Sequence, residues 1–288
     1  MKKVAIVTDT TACIPPEQVS RYNIEIIPVQ LNFEDRSYRD GIDITPNEFY
    51  AMLREAKNMP TTSSSSPAPY LEAYRNASQK AKSILCFTEP AKFTAMFNAA
   101  NVAREIARNV LPGIPIEVME CTTAAAGQGL VALSAAKAAD QNKTMEEVIT
   151  IVQDIMPRIS LYATLDTLRY LARSGRVPQA AAMLNSFLNI KPVFTLNHAE
   201  PRTVALPRST KNAINRIIKI MEREVGEKSI HAAVMHADAL ENAKELQDRI
   251  KEKFSCEELY ITEFTPVMGV HTGPGLLGVA FYSQETTD

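Results

Sequence analysis

The sequence predicts an α/β fold in two domains, a mostly parallel sheet covered by helices and then a second α/β domain. Short apolar runs rich in β-branched residues alternate with longer helical segments through the first half of the chain. The chain has 288 residues, 45% of them hydrophobic, which is enough to build the cores of two domains. The alternation changes near Pro157, so we place the domains at residues 1–157 and 158–288.

The first strand is predicted at residues 4–7, a continuous apolar run typical of a strand buried on both faces of a parallel sheet. Pro15 and Pro16 favour the first turn of a short helix that ends near Tyr22. An isoleucine- and valine-rich run over residues 24–33 predicts the second strand. Further strands of this sheet are predicted at residues 83–87 and 116–119.

Two capping boxes mark helix starts in the first domain. Thr45 precedes Glu48 by three residues, and Thr144 precedes Glu147 by three, so each pair can satisfy free amides at a helix start. These two helices are predicted to end near residues 56 and 156. The other predicted helices of this domain span residues 66–80, 94–110 and the alanine-rich 124–140.

The second domain has a less regular order of elements. Apolar runs at 192–196 and 203–206, separated by polar residues, predict a hairpin. The segment 210–225 is amphipathic, with Ile214, Ile217 and Met221 on one face. The remaining predicted elements are strands at 160–165, 230–235, 258–264 and 279–282, and helices at 166–173, 179–188 and 239–254.

Composition and charge argue against several classes of protein. A net charge of -2 provides no strong positive field for nucleic acid. No apolar run approaches the roughly 20 residues of a membrane helix, although transient membrane contact stays open. The four cysteines lack metal-ligand spacing, and the N-terminus lacks a signal-peptide pattern. We therefore expect a soluble, cytoplasmic protein with reduced cysteines, no metal and no cofactor.

The segment from Val267 to Gly275 places one histidine and one threonine among three glycines. Glycine lets a ligand approach the main chain closely, and His271 can donate to an anionic oxygen. We expect a glycine-rich turn that binds an anion. The alternative is a tight turn in which the histidine has no ligand.

Two polar segments in the first domain each allow two interpretations. The six hydroxyl residues at 61–66 either form an anion site at the start of the next helix or are a flexible linker. Asp9, at the end of the first strand, is either a phosphotransfer aspartate or the cap of the following turn. We prefer the cap, because Thr11 stands where the aspartyl-phosphatase pattern needs a second acid.

In combination these stretches resemble one protein family over nearly the whole chain. Their order and separation are hard to obtain by chance, and the two strongest pieces are residues 269–275 and residues 167–171 with Gly175-Arg176. The other pieces are Asn189-Ile190-Lys191-Pro192, Pro207-Arg208, and Pro60-Thr61-Thr62-Ser63 before Ser66-Pro67. On these motifs the chain is similar to the DegV family, the fatty-acid-binding subunits of the bacterial fatty acid kinase system.

The resemblance implies two α/β domains with a lipid tunnel between them. It implies a protein that binds one long-chain fatty acid and presents the carboxyl group to a separate ATP-dependent kinase subunit, which makes the acyl phosphate. The chain itself has no glycine-rich phosphate loop and no kinase lysine pattern. We therefore expect a lipid-binding subunit, not an enzyme, whose partner is the fatty acid kinase catalytic subunit.

The family pattern also assigns residues of this chain. Its ligand-binding positions fall on Thr62, Ser63, Thr94, His271, Thr272 and Gly273. Its basic positions near the head group and the partner-facing surface fall on Arg176 and Arg208. The chain departs from the pattern at positions that bear on the ligand and the kinase it accepts: Ser64, Ser65, Ala95, Glu120 and Cys121.

A fatty acid has two physical requirements. Its tail needs a dry tunnel, where burial of about a dozen methylenes contributes roughly 10 kcal/mol. Its carboxylate must be hydrogen-bonded, and permanently charged guanidinium groups can meet the additional charge of an acyl phosphate. Candidate wall residues, which are more often plain core, are Met96, Phe97, Met183, Leu184, Phe187, Leu188, Phe194 and Met268.

Two other classes of function stay open at this point. One is a hydrolase or phosphotransferase acting on a phosphorylated metabolite, with Asp9 and His271 in catalysis. Turnover without a partner subunit would favour it. The other is a regulatory interaction protein in which the lipid is only structural, and ligand exchange on a working timescale would argue against it.

Overall fold

The computed structural model describes residues 1–63, 66–177, 180, 183 and 190–283. The described strands are β1 (Lys2–Asp9), β2 (Glu25–Ile27), β3 (Gln30–Phe33), β4 (Arg36–Arg39), β5 (Thr61–Thr62), β6 (Ala81–Thr88), β7 (Ile116–Glu120), β8 (Ser160–Thr164), β9 (Val193–Asn197), β10 (Glu200–Ala205), β11 (Ile230–His236), β12 (Cys256–Glu263) and β13 (Leu277–Ser283). The described α-helices are α1 (Pro16–Tyr22), α2 (Pro46–Glu55), α3 (Pro67–Ser78), α4 (Met96–Val110), α5 (Ala126–Asp140), α6 (Met145–Ile155), α7 (Arg169–Ser174), α8 (Thr210–Val225), α9 (Leu240–Lys253) and α10 (Pro266–Thr272). They confirm the predicted α/β class.

The predicted parallel sheet is confirmed. Its strands lie in the order β2-β1-β6-β7, and every neighbouring pair is parallel. Alternate residues of β1 point to opposite faces: Ala5 and Val7 pack with α3 and α4, whereas Val4 and Ile6 pack with α5. Because both faces are covered, the strand is apolar along most of its length, as the sequence suggested.

The other two sheets are antiparallel or mixed. The six-stranded sheet has the order β10-β9-β8-β13-β11-β12, and its only parallel pair among the described strands is β11 with β12. β9 and β10 form the predicted hairpin, although β10 begins earlier than predicted, at Glu200. The small sheet has the order β4-β3-β5. The helix predicted at residues 179–188 lies outside the described residues, except for Ala180 and Met183.

The single strand predicted over residues 24–33 is wrong. β2 ends at Ile27 and β3 begins at Gln30, and the two strands belong to different sheets. Pro28 lies between them and has no N–H to continue a ladder. β3 instead pairs with β5, where Leu31 lies opposite Thr62. The break between β2 and β3 therefore places Thr62, a predicted site residue, beside β3. The sequence does not predict β5, because this strand has only two residues.

The alanine-rich segment forms helix α5, and the packing of this helix accounts for its composition. Twelve of its residues are buried, because it packs against β1 on one side and contacts β11 and β13 of the other large sheet. Small side chains allow this close packing. A Cβ at Gly129 would lie 2.5 Å from the carbonyl oxygen of Ala12. The two large sheets therefore share one hydrophobic core around this helix.

The domain boundary at Pro157 stays a prediction. All strands of the parallel and small sheets precede it, and all strands of the six-stranded sheet follow it. Contacts across this position are extensive: Tyr50 Oη donates to the carbonyl oxygen of Phe264 at 3.2 Å, and Lys137 pairs with Glu258 at 2.5 Å. Any two units separated here are closely packed together.

Both predicted capping boxes are confirmed, and the box of α6 provides a test. Thr144 Oγ1 accepts from the Glu147 amide at 3.3 Å, and Glu147 accepts from the Thr144 amide at 2.7 Å. We expect Thr144→Ala to lower the free energy of unfolding by about 1 kcal/mol in urea titrations. Thr150→Ala, on the exposed surface of the same helix, should change it by less than about 0.5 kcal/mol. Equal losses in the two variants would contradict a capping role.

Candidate functional site

A cavity of about 410 Å³ is lined by residues of the loops that follow the parallel strands, of the small sheet, of β9, and of α4, α7 and α10. This volume lies within the range of roughly 300–1,000 Å³ that small-molecule sites occupy. Most of the described lining is apolar: Val29, Phe93, Ala95, Met96, Ala124, Leu171, Val177, Leu196, Val267 and Met268. The polar lining residues are Thr11, Thr62, Ser63, Glu89, Thr94, Arg176, His271 and Thr272. The cavity therefore suits an amphiphilic ligand.

The structure brings most of the predicted site residues to this cavity. Those lining it are Thr62, Ser63, Thr94, Arg176, His271 and Thr272. Gly273 and Arg208 are not part of its described lining. Gly273 has φ +68° and faces Tyr170, whose ring a Cβ at this position would overlap. Arg208 is exposed. Ligand contact by each of these residues and partner contact by Arg208 stay predictions.

The glycine-rich turn predicted around His271 is wrong in its position. Residues Pro266–Thr272 form α10, and the turn begins only at Gly273. Pro266 is favourable in the first helical turn because its φ is already helical. Gly269 lies inside this helix. The position requires glycine, because a Cβ there would lie 2.7 Å from side-chain atoms of Phe49 and Tyr50. His271 is therefore held on a helix packed against α2, which makes its position rigid.

Thr62 and His271 form the polar centre of the cavity. Thr62 Oγ1 and His271 Nε2 are 3.3 Å apart. Burial and, to a smaller degree, the nearby Arg176 cation lower the pKa of His271 to about 4. The imidazole is therefore neutral at pH 7, with one N–H to donate. A hydroxyl and a neutral imidazole in this arrangement can hydrogen-bond a ligand oxygen without adding net charge.

The hydroxyl groups of Thr62, Ser63 and Thr94 come from two separate segments of the first half of the chain. Thr62 belongs to β5, and Ser63 follows it directly, so both side chains are positioned by strand pairing and not by the start of α3. Thr94 lies two residues before α4, whose N-cap residue Ala95 offers no side-chain hydrogen bond. The first amides of α4 therefore lack a side-chain acceptor at the cap and favour a negative group nearby. Ser64 and Ser65 lie outside the described residues.

Arg176 is the only arginine or lysine in the described lining of the cavity. It follows Gly175, which ends α7 with φ +70°, a left-handed conformation that glycine adopts without strain. Its guanidinium donates to the carbonyl oxygen of Ser174 at 2.8 Å. The remaining N–H groups of this permanently charged side chain can serve an anionic ligand.

Glu89 is a lining residue that the sequence reasoning missed. It follows β6 directly, and its side chain is only 8% exposed. Burial and the negative charge of Asp9 raise the pKa of Glu89 to about 8, although Arg176 opposes this. Glu89 is therefore largely protonated at neutral pH and does not repel an anion. An acidic residue directly after a buried strand, at the sheet edge where ligands bind, was the available signal.

A family model described as "Uncharacterised protein, DegV family" matches residues 3–284. The chain belongs to the DegV family. It is 31% identical to a DegV domain-containing protein of Caldanaerobacter subterraneus subsp. tengcongensis, over 98% of this chain and 99% of the relative. A DegV domain-containing protein of Streptomyces coelicolor is also 31% identical, over 98% and 99% of the two chains.

Solved structures of DegV proteins share the fold. A DegV family protein from Thermus thermophilus, described as fatty acid binding, matches with a TM-score of 0.90 and 28% identity, over 99% of this chain and 100% of that chain. DegV of Bacillus subtilis, described as a fatty acid binding protein, matches with a TM-score of 0.86 and 25% identity, with the same coverage. The predicted DegV-like α/β fold is thus confirmed.

Asp9 does not line the cavity of this DegV family member. It caps the turn Thr10–Ala12 by accepting from the Thr11 amide at 2.9 Å, as predicted. Burial raises the pKa of Asp9 to about 6. Its side chain borders a different cavity, of about 710 Å³. Asp9 and His271 therefore do not face a common cavity, which speaks against the hydrolase or phosphotransferase alternative.

Only some of the predicted wall residues line the cavity. Met96 and Met268 line the cavity, whereas Phe97, Met183 and Phe194 are not in its described lining. Leu184, Phe187 and Leu188 lie outside the described residues. The additional apolar wall comes from loops, α7, β9 and α10. The sequence pattern of these segments does not distinguish a cavity wall from an ordinary core.

The described residues contain no group of three or more histidine, cysteine, aspartate or glutamate side chains that could hold a metal ion. No helix among them is both long enough and apolar enough to cross a bilayer. All four cysteines are free thiols.

Replacing Glu89 with glutamine tests the protonation of this buried acid. The pKa is about 8 in the folded chain and near 4.5 in an exposed glutamate, so the folded state binds more protons between these values. The stability of the wild type should therefore fall, relative to Glu89→Gln, by about 2 kcal/mol between pH 6 and pH 8. Urea unfolding at pH 6, 7 and 8 measures this difference. The exposed control Glu241→Gln should follow the wild type, and a flat difference for Glu89→Gln would refute the burial argument.

Proposed function

We propose that this protein binds one long-chain fatty acid in the 410 Å³ cavity. Its carboxyl group would be held by the hydroxyls of Thr62 and Thr94 and by the imidazole of His271. The observation that carries this proposal is the convergence of these three groups on a cavity whose described lining is otherwise mostly apolar. Family membership supports it, because the DegV proteins of Thermus thermophilus and Bacillus subtilis are fatty acid binding proteins.

The energetics of binding follow from the two ends of the ligand. Each methylene that leaves water contributes about 0.8 kcal/mol, so the tail supplies most of the affinity. The carboxylate needs hydrogen bonds in place of its water shell, since a buried unpaired charge is expensive. Charge-assisted hydrogen bonds from Thr62, Thr94 and neutral His271 provide them. Arg176 supplies positive charge at the same cavity.

We further propose that the bound carboxyl group is presented to a separate, ATP-dependent fatty acid kinase subunit in the cytoplasm, which converts it to an acyl phosphate. Arg176 would meet the additional negative charge of the phosphate, and exposed Arg208 would contact the kinase. In this scheme the chain is a binding subunit without catalytic activity of its own. Formation of acyl phosphate would then require the partner.

The first experiment identifies the ligand without bias. Protein purified under native conditions is denatured and extracted, and the extract is analysed by mass spectrometry. We expect one fatty acid per chain. A lipid-free protein that also fails to bind added fatty acids would refute the proposal.

The second experiment addresses the partner. The fatty-acid-loaded protein is mixed with ATP, alone and with a fatty acid kinase catalytic subunit, and acyl phosphate is trapped with hydroxylamine. Product only in the presence of the kinase supports presentation to a partner. Product from the chain alone would favour an enzyme instead.

A further inference from the structure

The Glu89 carboxyl group is the least expected feature of the cavity. It lies in the lining and is more than nine-tenths buried. Within the described part of the chain, no hydrogen bond or ion pair reaches it, and its charged neighbours Asp9 and Arg176 act on it only through space. A buried carboxyl group that faces a ligand cavity and has no hydrogen bond from any described residue is available to the ligand.

A saturated alkyl chain cannot form a hydrogen bond with the Glu89 carboxyl group. A methylene offers neither a donor nor an acceptor, so a saturated tail packed against Glu89 would leave the carboxyl group desolvated and unpaired. A hydrocarbon-binding wall is best built from apolar residues, as most of this cavity is. The position of Glu89 therefore favours a ligand with a polar group at that point.

Glu89 comes from a different element than Thr62 and His271, whereas Thr94 follows it in the loop between β6 and α4. β6 pairs with β1, where Cys86 lies beside Val7, so Glu89 and Asp9 emerge together at the carboxyl edge of the parallel sheet. Thr62 belongs to the small sheet, and His271 belongs to α10. No hydrogen bond among the described residues joins Glu89 to Thr62 or His271, so a ligand with its carboxyl group at the Thr62–His271 centre can reach Glu89 with another part of its length.

We propose that the preferred ligand is a fatty acid bearing a hydroxyl group on its chain, and that Glu89 selects it by hydrogen bonding to that hydroxyl. This inference rests on the proposed function. A hydroxyl both donates and accepts, so it pairs with a carboxyl group in either protonation state. A site built to hydrogen-bond a hydroxyl discriminates strongly against an analogue that lacks it, because its own polar group is then left unpaired.

The test compares palmitate with hydroxypalmitates that carry the hydroxyl at successive chain positions. Delipidated wild type, Glu89→Leu and Glu89→Gln are titrated in competition with a fluorescent fatty acid. We expect the wild type to bind at least one positional isomer tenfold or more tightly than palmitate. Glu89→Leu should reverse this preference and bind palmitate more tightly. Glu89→Gln should keep the preference, since its amide still donates and accepts.

The outcomes separate this inference from the fatty acid proposal. If the wild type binds palmitate as tightly as every hydroxypalmitate, Glu89 selects no hydroxyl, yet fatty acid binding stands. If Glu89→Leu and Glu89→Gln weaken palmitate and all isomers equally, Glu89 contacts the carboxyl end and the inference is overturned. Failure of every fatty acid to bind the wild type would overturn both. Thermal unfolding of each variant confirms that binding is compared among folded proteins.

Discussion

Replacing His271 with alanine is expected to weaken fatty acid binding by about 10- to 100-fold. The neutral imidazole lies 3.3 Å from Thr62 Oγ1 and donates to the carboxylate in the proposed complex. A hydrogen bond to a charged group contributes roughly 1.5–3 kcal/mol, and each 1.4 kcal/mol corresponds to a factor of ten in the dissociation constant. Isothermal titration of delipidated protein with a fatty acid at pH 7 measures the change.

Two controls make the His271 result specific. His198→Ala, at an exposed position in the turn between β9 and β10, should bind as the wild type does. The methyl ester of the same fatty acid has no carboxylate, so His271→Ala should weaken its binding much less than it weakens the acid. Equal weakening of acid and ester would mean that His271 shapes the cavity and does not anchor the carboxyl group.

Replacing Gly273 with alanine is expected to lower the free energy of unfolding by about 3 kcal/mol. Gly273 has φ +68° and ψ −180°, a backbone conformation that is essentially restricted to glycine and costs other residues about 1–3 kcal/mol. In addition, the new methyl group would overlap the ring of Tyr170, and overpacking adds roughly 1–3 kcal/mol when the neighbour cannot move freely. Urea unfolding of both proteins measures the loss.

Gly226→Ala is the matched control for Gly273→Ala. Gly226 has φ +62° and ψ −128°, which imposes a similar backbone strain, but no atom lies within 4 Å of a Cβ built there. Its loss should therefore be smaller by the cost of the overlap with Tyr170. Equal losses at both positions would show that the backbone conformation alone requires glycine at Gly273.

Most elements could be predicted because their signals are local. The capping boxes at Thr45 and Thr144 and the apolar run of β1 are consequences of neighbouring residues, and the structure contains all three. Pro28 is a signal for a strand break, because proline has no N–H for a strand ladder. The apolar residues on both sides of it nevertheless favour one continuous strand in the sequence pattern. β4 and β5 gave no such signal, because strands of four and two residues show too little alternation.

The sequence predicts only part of the candidate site. The two features that it does not predict, the helix that carries His271 and the burial of Glu89, both depend on tertiary packing. His271 was expected on a turn but lies on a helix, because the glycine at 269 serves close packing against Phe49 and Tyr50 and not chain reversal. The sequence does not single out Glu89, because a single acidic residue after a strand is usually solvated. Its importance arises from burial, which only the surrounding structure produces.

The sequence by itself determined the succession of strands and helices, the helix starts, and the motifs that resemble the DegV family. The strands, helices and helix starts depend on residues close together along the chain. The family motifs are patterns of residue types in the sequence itself. Only the tertiary structure decided that Thr62 meets His271, 209 residues away, and that Glu89 faces the same cavity while Asp9 faces another. The physical reason is that cavities, desolvation and the pKa changes they cause depend on packing between distant segments, which local patterns do not specify.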